Sequence, residues 1–338
     1  MYMPNTERCD TIKTMGELSC PVCATEVEQG NYLQRYTSDW NKKEYKLYHC
    51  PNCHLEWWEP LKIEPEFYEE EGDEGYAVFH LGIADALGEN HKTFFKYFPL
   101  KSGRLLDVGC GDGRFLKKAQ EAGFEVWGID FDRKSVQVCR EKRGLKNVYA
   151  MSLEEFSEFA EKEGLKFDVI TFFEVLEHQD RPREFLEGVK RLLKPGGYIA
   201  GSVPNRESFI TEINGRRLCK WDFPPNHFLR FSKHSLLNLL QSTFSHSVVF
   251  PIKLSLYEYI DMIVILIFGK HVVKKLRISL SGSELGELSS NFNSQPTFRK
   301  FLFKFLKLSK NAFLYPVAYL LHETTEPFLF FKAQNTEI

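Results

Sequence analysis

This chain of 338 residues has almost no net charge, no apolar leader and no long hydrophobic run. Each absence excludes something. A formal charge of −2 gives no aggregate pull toward nucleic acid or toward a charged surface. Met1 to Leu18 lacks an apolar core, so no secretory signal is expected. The longest apolar run, Met262 to Gly269, is too short to span a bilayer. A cytoplasmic location is therefore expected. In a reducing compartment, paired spacing among the eight cysteines means metal rather than disulfides. The charge that is present is unevenly placed. Glu56 to Glu89 is strongly acidic, with Lys62 against it, and Val264 to Lys310 is basic.

The richest stretch is Leu105-Leu106-Asp107-Val108-Gly109-Cys110-Gly111-Asp112-Gly113-Arg114. Apolar residues feed an acid, and three glycines follow at every second position. This reads as a buried parallel strand, a sharp turn and a helix from Arg114 to Ala122. The glycines allow φ > 0 and close approach of a ligand, and the helix end offers unpaired N–H groups. The spacing is G-x-G-x-G, not the G-x-G-x-x-G of dinucleotide sites. An acid before the first glycine suits an ammonium better than a pyrophosphate. S-adenosylmethionine (SAM) has such an ammonium, a carboxylate and a sulfonium, and no phosphate. Glu125 to Asp130 is a second strand ending in an acid about twenty residues on, where a doubly wound fold places a carboxylate on ribose hydroxyls. Phe167 to Phe173 is a third strand, leading into Glu174-Val175-Leu176-Glu177-His178. A helix from Arg183 to Leu193 stops at Lys194-Pro195-Gly196-Gly197, and Tyr198 to Val203 is the next strand.

Cys20-Pro21-Val22-Cys23 and Cys50-Pro51-Asn52-Cys53 are two C-x-x-C knuckles. Cys20, Cys23, Cys50 and Cys53 suit a closed tetrahedral zinc site, hence a structural one. Tyr32 to Tyr36 and Glu44 to Tyr48 are expected to pair between them. Zinc knuckles often carry Gly after the second Cys, and here Ala24 and His54 stand there. The module lacks the clustered basic stripe that phosphate binding needs, which argues against nucleic acid.

D-V-G-C-G-D-G, G-I-D, E-V-L-E-H and L-K-P-G-G stand in the order and spacing of the class I SAM-dependent methyltransferases, which residues 102–205 resemble. The resemblance implies an α/β, Rossmann-like doubly wound sheet with an antiparallel seventh strand. To this the chain adds a small N-terminal zinc ribbon and a helical insertion between strands six and seven. The expected organisation is a flexible N-terminus (1–18), a zinc-binding module (19–60), an acidic connector or lid (61–90), the SAM-binding core (91–254), a helical acceptor cap (255–325) and a final strand and tail (326–338). Tyr68, Tyr76 and His80 resemble a lid over the cofactor. Ser245 to Leu254 and Glu326 to Ala333 are the sixth and seventh strands.

Ligands of open α/β sheets sit beyond the carboxyl ends of the strands. The expected cofactor set is Asp107, Gly109, Gly111, Gly113, Asp130, Phe131, Ser152, Leu153, Phe173 and Glu174. His178, His227 and Glu177 are the expected catalytic set, with an imidazole as the base that deprotonates a hydroxyl. E-x-x-E-H also resembles quinone and small-RNA O-methyltransferases, which implies a divalent ion such as Mg²⁺ held by Glu174 and Glu177 on one helical face, with His178 and His227. The Cys₄ module ahead of such a core resembles a bacterial group that makes or decorates sugars and surface glycans. It implies a small-molecule, glycan-linked or lipid-linked acceptor, methylated on oxygen or carbon. The alternatives are a quinone or RNA O-methyltransferase and a non-catalytic scaffold whose zinc module binds a partner. A nicotinamide enzyme is disfavoured by the missing dinucleotide spacing. The Phe/Leu face among the lysines of Thr297 to His322 suits either core packing or peripheral contact with the inner membrane face.

Overall fold

The computed structural model describes residues 18–28, 32–64, 67, 86–208, 222–254, 320 and 325–336. The lid residues Tyr68, Tyr76 and His80, and the expected cap at 255–325 apart from Leu320 and Thr325, lie outside the described residues. Among the described residues no helix is long and apolar enough to cross a membrane.

Two sheets organise the described residues. The small one holds β1 (Tyr32–Thr37), β2 (Glu44–His49) and β3 (Glu56–Glu59), all antiparallel. Its fourth strand is β9 (Leu229–Arg230), from far along the chain, paired with β3 in the register Glu56↔Arg230 and Trp57↔Leu229. The large sheet has the order β10-β11-β8-β7-β4-β5-β6. Its strands are β4 (Gly103–Val108), β5 (Phe124–Asp130), β6 (Val148–Ala150), β7 (Phe167–Phe173), β8 (Leu193–Pro204), β10 (His246–Ile252) and β11 (Phe328–Gln334). β4 to β8 pair in parallel, and β11 inserts antiparallel between β8 and β10. This is the doubly wound sheet with an antiparallel seventh strand that the sequence implies.

The helices form where local signals agree. They are α1 (Glu89–Tyr97), α2 (Arg114–Glu121), α3 (Arg133–Glu141), α4 (Leu153–Lys162), α5 (Pro182–Leu192) and α6 (Lys233–Gln241). α3 is capped by Asp132, whose carboxylate accepts from the N–H groups of Lys134 and Ser135. α4 and α6 open on capping boxes, Ser152 with Glu155 and Ser232 with Ser235. Pro182 stands at the first position of α5, where its missing N–H costs nothing. The Lys194-Pro195-Gly196-Gly197 stop differs from expectation. β8 begins at Leu193, directly after α5, because Leu193 pairs with Phe167 and Gly196 donates its N–H to the Asn335 carbonyl.

The core runs through both sheets. Leu55, Trp57 and the cysteines of the small module belong to the same buried cluster as Leu176, Leu229, Phe231 and Leu236. Trp58, Tyr45 and Leu47 close over Phe228 in a second patch. Burial of a large apolar side chain stabilises by roughly 1.5–3 kcal/mol. The interior of residues 19–60 is therefore continuous with that of the large sheet, although the chain boundary near 60 is sharp in composition.

Candidate functional site

Beyond the carboxyl ends of the parallel strands lies a cavity of about 530 Å³. The turn after β4 supplies its floor. Gly109, Gly111 and Gly113 all have positive φ (75°, 51° and 75°). A Cβ on Gly109 would stand 2.6 Å from Val175, and one on Gly113 would meet Leu145 and Cys139 at 2.7 and 2.8 Å. Asp130, at the end of β5, accepts from the Gly111 N–H at 2.8 Å and the Asp132 N–H at 2.9 Å. It ties the glycine turn to the β5 end and lines the cavity. Phe131 beside it is 42% exposed and offers its ring to the same space.

Of the expected cofactor set, Asp107, Gly109, Gly111, Asp130, Phe131, Leu153, Phe173 and Glu174 line the cavity. Gly113 and Ser152 do not. Gly113 is the N-cap of α2, packed under the turn, and the Ser152 side chain is spent on the α4 capping box. Met151 and Leu153, on either side of Ser152, face the cavity instead.

Buried acids give the site its character. Asp107 accepts from the Thr171 hydroxyl at 2.6 Å, and burial pushes its carboxyl well above the usual range. Burial likewise raises Glu174 to about 7, although the Ser202 hydroxyl donates to it at 2.6 Å. Such acids ionise readily only beside a cation. SAM brings two, an ammonium and a sulfonium, together with an adenine that suits Phe131 and Leu153. The residues present therefore fit SAM. Two residues that the sequence did not single out also line this space, Asn90 and His91 of α1. Asn90 donates to Ser202 at 3.3 Å. His91 is held neutral, its pKa lowered to about 4 by burial and by Arg114. Their signal in the sequence is slight, since the helix that carries them, Glu89–Tyr97, holds several other polar residues.

At the other end stand the three expected catalytic residues. Glu174 has φ +55° and only a short 3₁₀ turn, Leu176–His178, follows it. Glu174 and Glu177 are thus not on one helical face as expected. Glu174 turns to Ser202, while Glu177, His178 and His227 bring one donor atom each within 4.8 Å. Both carboxylate oxygens of Glu177 are buried without a hydrogen bond among the described residues, and burial next to Glu174 pushes its pKa well up. His178 and His227 meet edge to face at 4.8 Å and both line the cavity; Glu177 does not.

The two imidazoles differ. His178 Nδ1 faces the Asn226 carbonyl, and the ring also meets the Glu174 backbone carbonyl. Burial, with His227 alongside, lowers its pKa to about 3. It is a neutral ring held by main chain, and a poor base. His227 Nδ1 faces Asp222 Oδ1 at 3.3 Å. Asp222 is itself held below the usual range, against its own burial, by His227 and Arg230. The converging set of one carboxylate and two imidazoles is too poor in oxygen for Mg²⁺. The residues do not fit the expected Mg²⁺ site.

The four cysteines do fit a zinc ion. Cys20, Cys23, Cys50 and Cys53 place their sulfurs within 4.8 Å of one another, with Cys20–Cys53 and Cys23–Cys50 at 3.5 Å. A tetrahedral site with Zn–S near ~2.3 Å needs sulfurs a little under ~4 Å apart. The Cys53 sulfur draws the Cys20 thiol down to about 6. Ala24 and His54 occupy the left-handed region at φ +58° and +61°, the conformation that glycine usually supplies. Their N–H groups donate to the Cys20 and Cys50 carbonyls at 2.9 and 3.0 Å and close the knuckles.

Residues 80–243 match a family described as "Methyltransferase domain". A ubiquinone biosynthesis O-methyltransferase of Bordetella avium is 34% identical over 145 residues, 40% of this chain and 59% of that protein. Its counterpart in Bordetella pertussis is 38% identical over 122 residues, 34% of this chain and 49% of that one. The chain spans about half the length of the curated relatives it matches. In fold it resembles a chain of the Haloferax volcanii complex between the Trm112 methyltransferase activator and a methyltransferase. The two are 13% identical with a TM-score of 0.50, over 82% of this chain and 99% of that one. The cavity floor of glycine turn and Asp130 lies inside the matched residues, and the chain carries a methyltransferase domain with the Rossmann-like fold of the SAM-dependent enzymes.

Proposed function

We propose that the chain transfers a methyl group from SAM to a hydroxyl of a small acceptor. One observation carries this reading. A single cavity joins the glycine turn, Asp130 and Phe131 at one end to His178 and His227 at the other. SAM, when bound, supplies a methyl group on a sulfonium whose departure as a neutral thioether drives the transfer. The protein aligns the acceptor oxygen, excludes water and removes a proton. Asp107 and Glu174 supply negative charge at the cofactor end. His227 takes the hydroxyl proton at Nε2 as the acceptor oxygen forms its bond to the methyl carbon. His178 walls the site as a neutral ring.

The acceptor is a sugar, or a glycan-linked or lipid-linked molecule. The Cys₄ module ahead of the core supports that class. A second reading, a phenolic acceptor of the quinone type, has support of its own in the names of the relatives and in the apolar wall of Val175, Phe173 and Phe185. The chain acts in the cytoplasm, and a lipid-linked acceptor would bring it to the inner membrane face. Incubation with methyl-labelled SAM and two panels, nucleotide sugars and catechols, tests this. Label in either panel that disappears in His227→Ala supports the reading. SAM binding with no transfer to any extracted metabolite favours the scaffold alternative.

A further inference from the structure

The segment 222–230 is strapped between the zinc module and the turn that carries His178. Phe228 accepts from the Trp58 N–H of β3 at 3.0 Å and donates to the Glu177 carbonyl at 2.9 Å. Side chains run parallel to this strap. Glu56 of β3 accepts from Arg206 at 2.9 Å and from Arg230 at 3.0 Å. The Arg230 Nε stands 2.8 Å from Asp222 Oδ2 in an ion pair that is not aligned as a hydrogen bond, and the other Asp222 oxygen faces His227 Nδ1. Glu56 is only 9% exposed, and Asp222 and Arg230 are little more so. Charges this buried cost desolvation, and apolar residues would dock a module at least as well. What the ionic chain adds is orientation.

We propose that the zinc module positions the acceptor-side imidazole: Glu56, through Arg230 and Asp222, holds His227 in the tautomer with the proton on Nδ1. A carboxylate only accepts, so the hydrogen bond to Asp222 requires that proton. The lone pair is then on Nε2, the nitrogen left for the cavity. Free imidazole has no such constraint. Glu56, Arg230 and Asp222 are positioning residues, since none of them lines the cavity. His178 supplies an internal control, because its Nδ1 is held by the Asn226 carbonyl and not by this chain of charges. The proposal rests on the methyltransferase reading only for its consequence, a base kept ready for proton removal.

The test needs no acceptor. Long-range ¹⁵N–¹H spectra of the full chain, with His227 and His178 assigned through single His→Gln variants, report each tautomer at pH 8. In the wild type both rings carry the proton on Nδ1. Asp222→Ala moves at least half of the His227 population to the Nε2–H form and leaves His178 unchanged. Glu56→Gln moves His227 in the same direction by less. Asp222→Asn, equal in size, gives an intermediate shift should the alanine variant fail to fold. A wild-type His227 protonated on Nε2, or one that the Asp222 variants leave alone, overturns the proposal. A His227 that responds to Asp222 and not to Glu56 overturns the module's part in it. Calorimetry with SAM runs beside these spectra. Absence of SAM binding in the wild type defeats the functional reading and leaves the tautomer result standing.

Discussion

The two ends of the cavity are built in different ways. The floor of the cofactor end is local: β4, the glycine turn, α2 and the β5 acid come from residues 103–132, and the Asp130 carboxylate, accepting from the Gly111 N–H, helps tie the turn to β5. The acceptor end is assembled from three distant stretches, β3 at 56–59, the turn at 176–178 and the strap at 222–230. A site built from one supersecondary unit tolerates changes elsewhere. A site built from distant stretches fails when any one of them loosens. The Cys₄ module therefore bears more directly on the acceptor end, which it contacts through β3 and β9, than on the cofactor end.

Removing the metal stresses this contrast hardest. Cys20→Ser with Cys50→Ser should remove about one zinc per chain by elemental analysis. Zinc-finger peptides gain roughly 10–16 kcal/mol from their metal, which sets the ceiling on the loss. Hydrogen exchange should show protection lost first in β2, β3 and β9, while β4 and β5 stay protected. Equal loss in both sheets would break the contrast, and a metal-free wild type of equal stability would remove the zinc site.

A smaller effect follows from Glu174. Its carboxyl is raised to about 7 by burial, and a bound cation favours the ionised form. Below about pH 7 binding must first drive the proton off, so SAM affinity falls as pH drops. The expected fall is roughly tenfold between pH 8 and pH 6, one pKa unit being worth ~1.4 kcal/mol. Calorimetry in Glu174→Gln should lose this slope. A slope retained in that variant would assign it to another group, Asp107 first.

The smallest effect concerns the knuckles. Ala24 and His54 sit at positive φ, where a side chain costs roughly 1–2 kcal/mol and glycine pays in unfolded-state entropy instead. Ala24→Gly should stabilise the holo protein by about 0.5 kcal/mol in thermal melts. A loss of stability would mean that the Ala24 side chain contributes packing that outweighs its strain.

What was legible in the sequence follows the same division. The glycine spacing, Asp130 and the paired cysteines are signals over a few residues, and the structure brings each group together. The antiparallel pairing of β10 with β11 was legible only through the methyltransferase resemblance, which implies it, because neither run alternates. The acceptor end was legible only in its parts. His178 and His227 stood out as histidines, but nothing local says that one faces main-chain carbonyls and the other a carboxylate. Asp222 and Glu56 lie 166 residues apart in the chain. Their connection through Arg230 depends on β9 pairing with β3, and a two-residue strand leaves no periodicity to read. Glu174 was misplaced on a helix because E-x-x-E has helical spacing, while its φ of +55° breaks that spacing.

The most direct test sets the two ends against each other in one assay, calorimetric titration with SAM of Asp130→Ala and Asp222→Ala. Asp130 holds the glycine turn and a lost charged hydrogen bond costs about 1.5–3 kcal/mol. The first variant should therefore bind SAM roughly 10- to 150-fold more weakly than the wild type, and the second within about twofold of it. Equal weakening in both variants, or an Asp130→Ala that binds as the wild type does, would contradict the account.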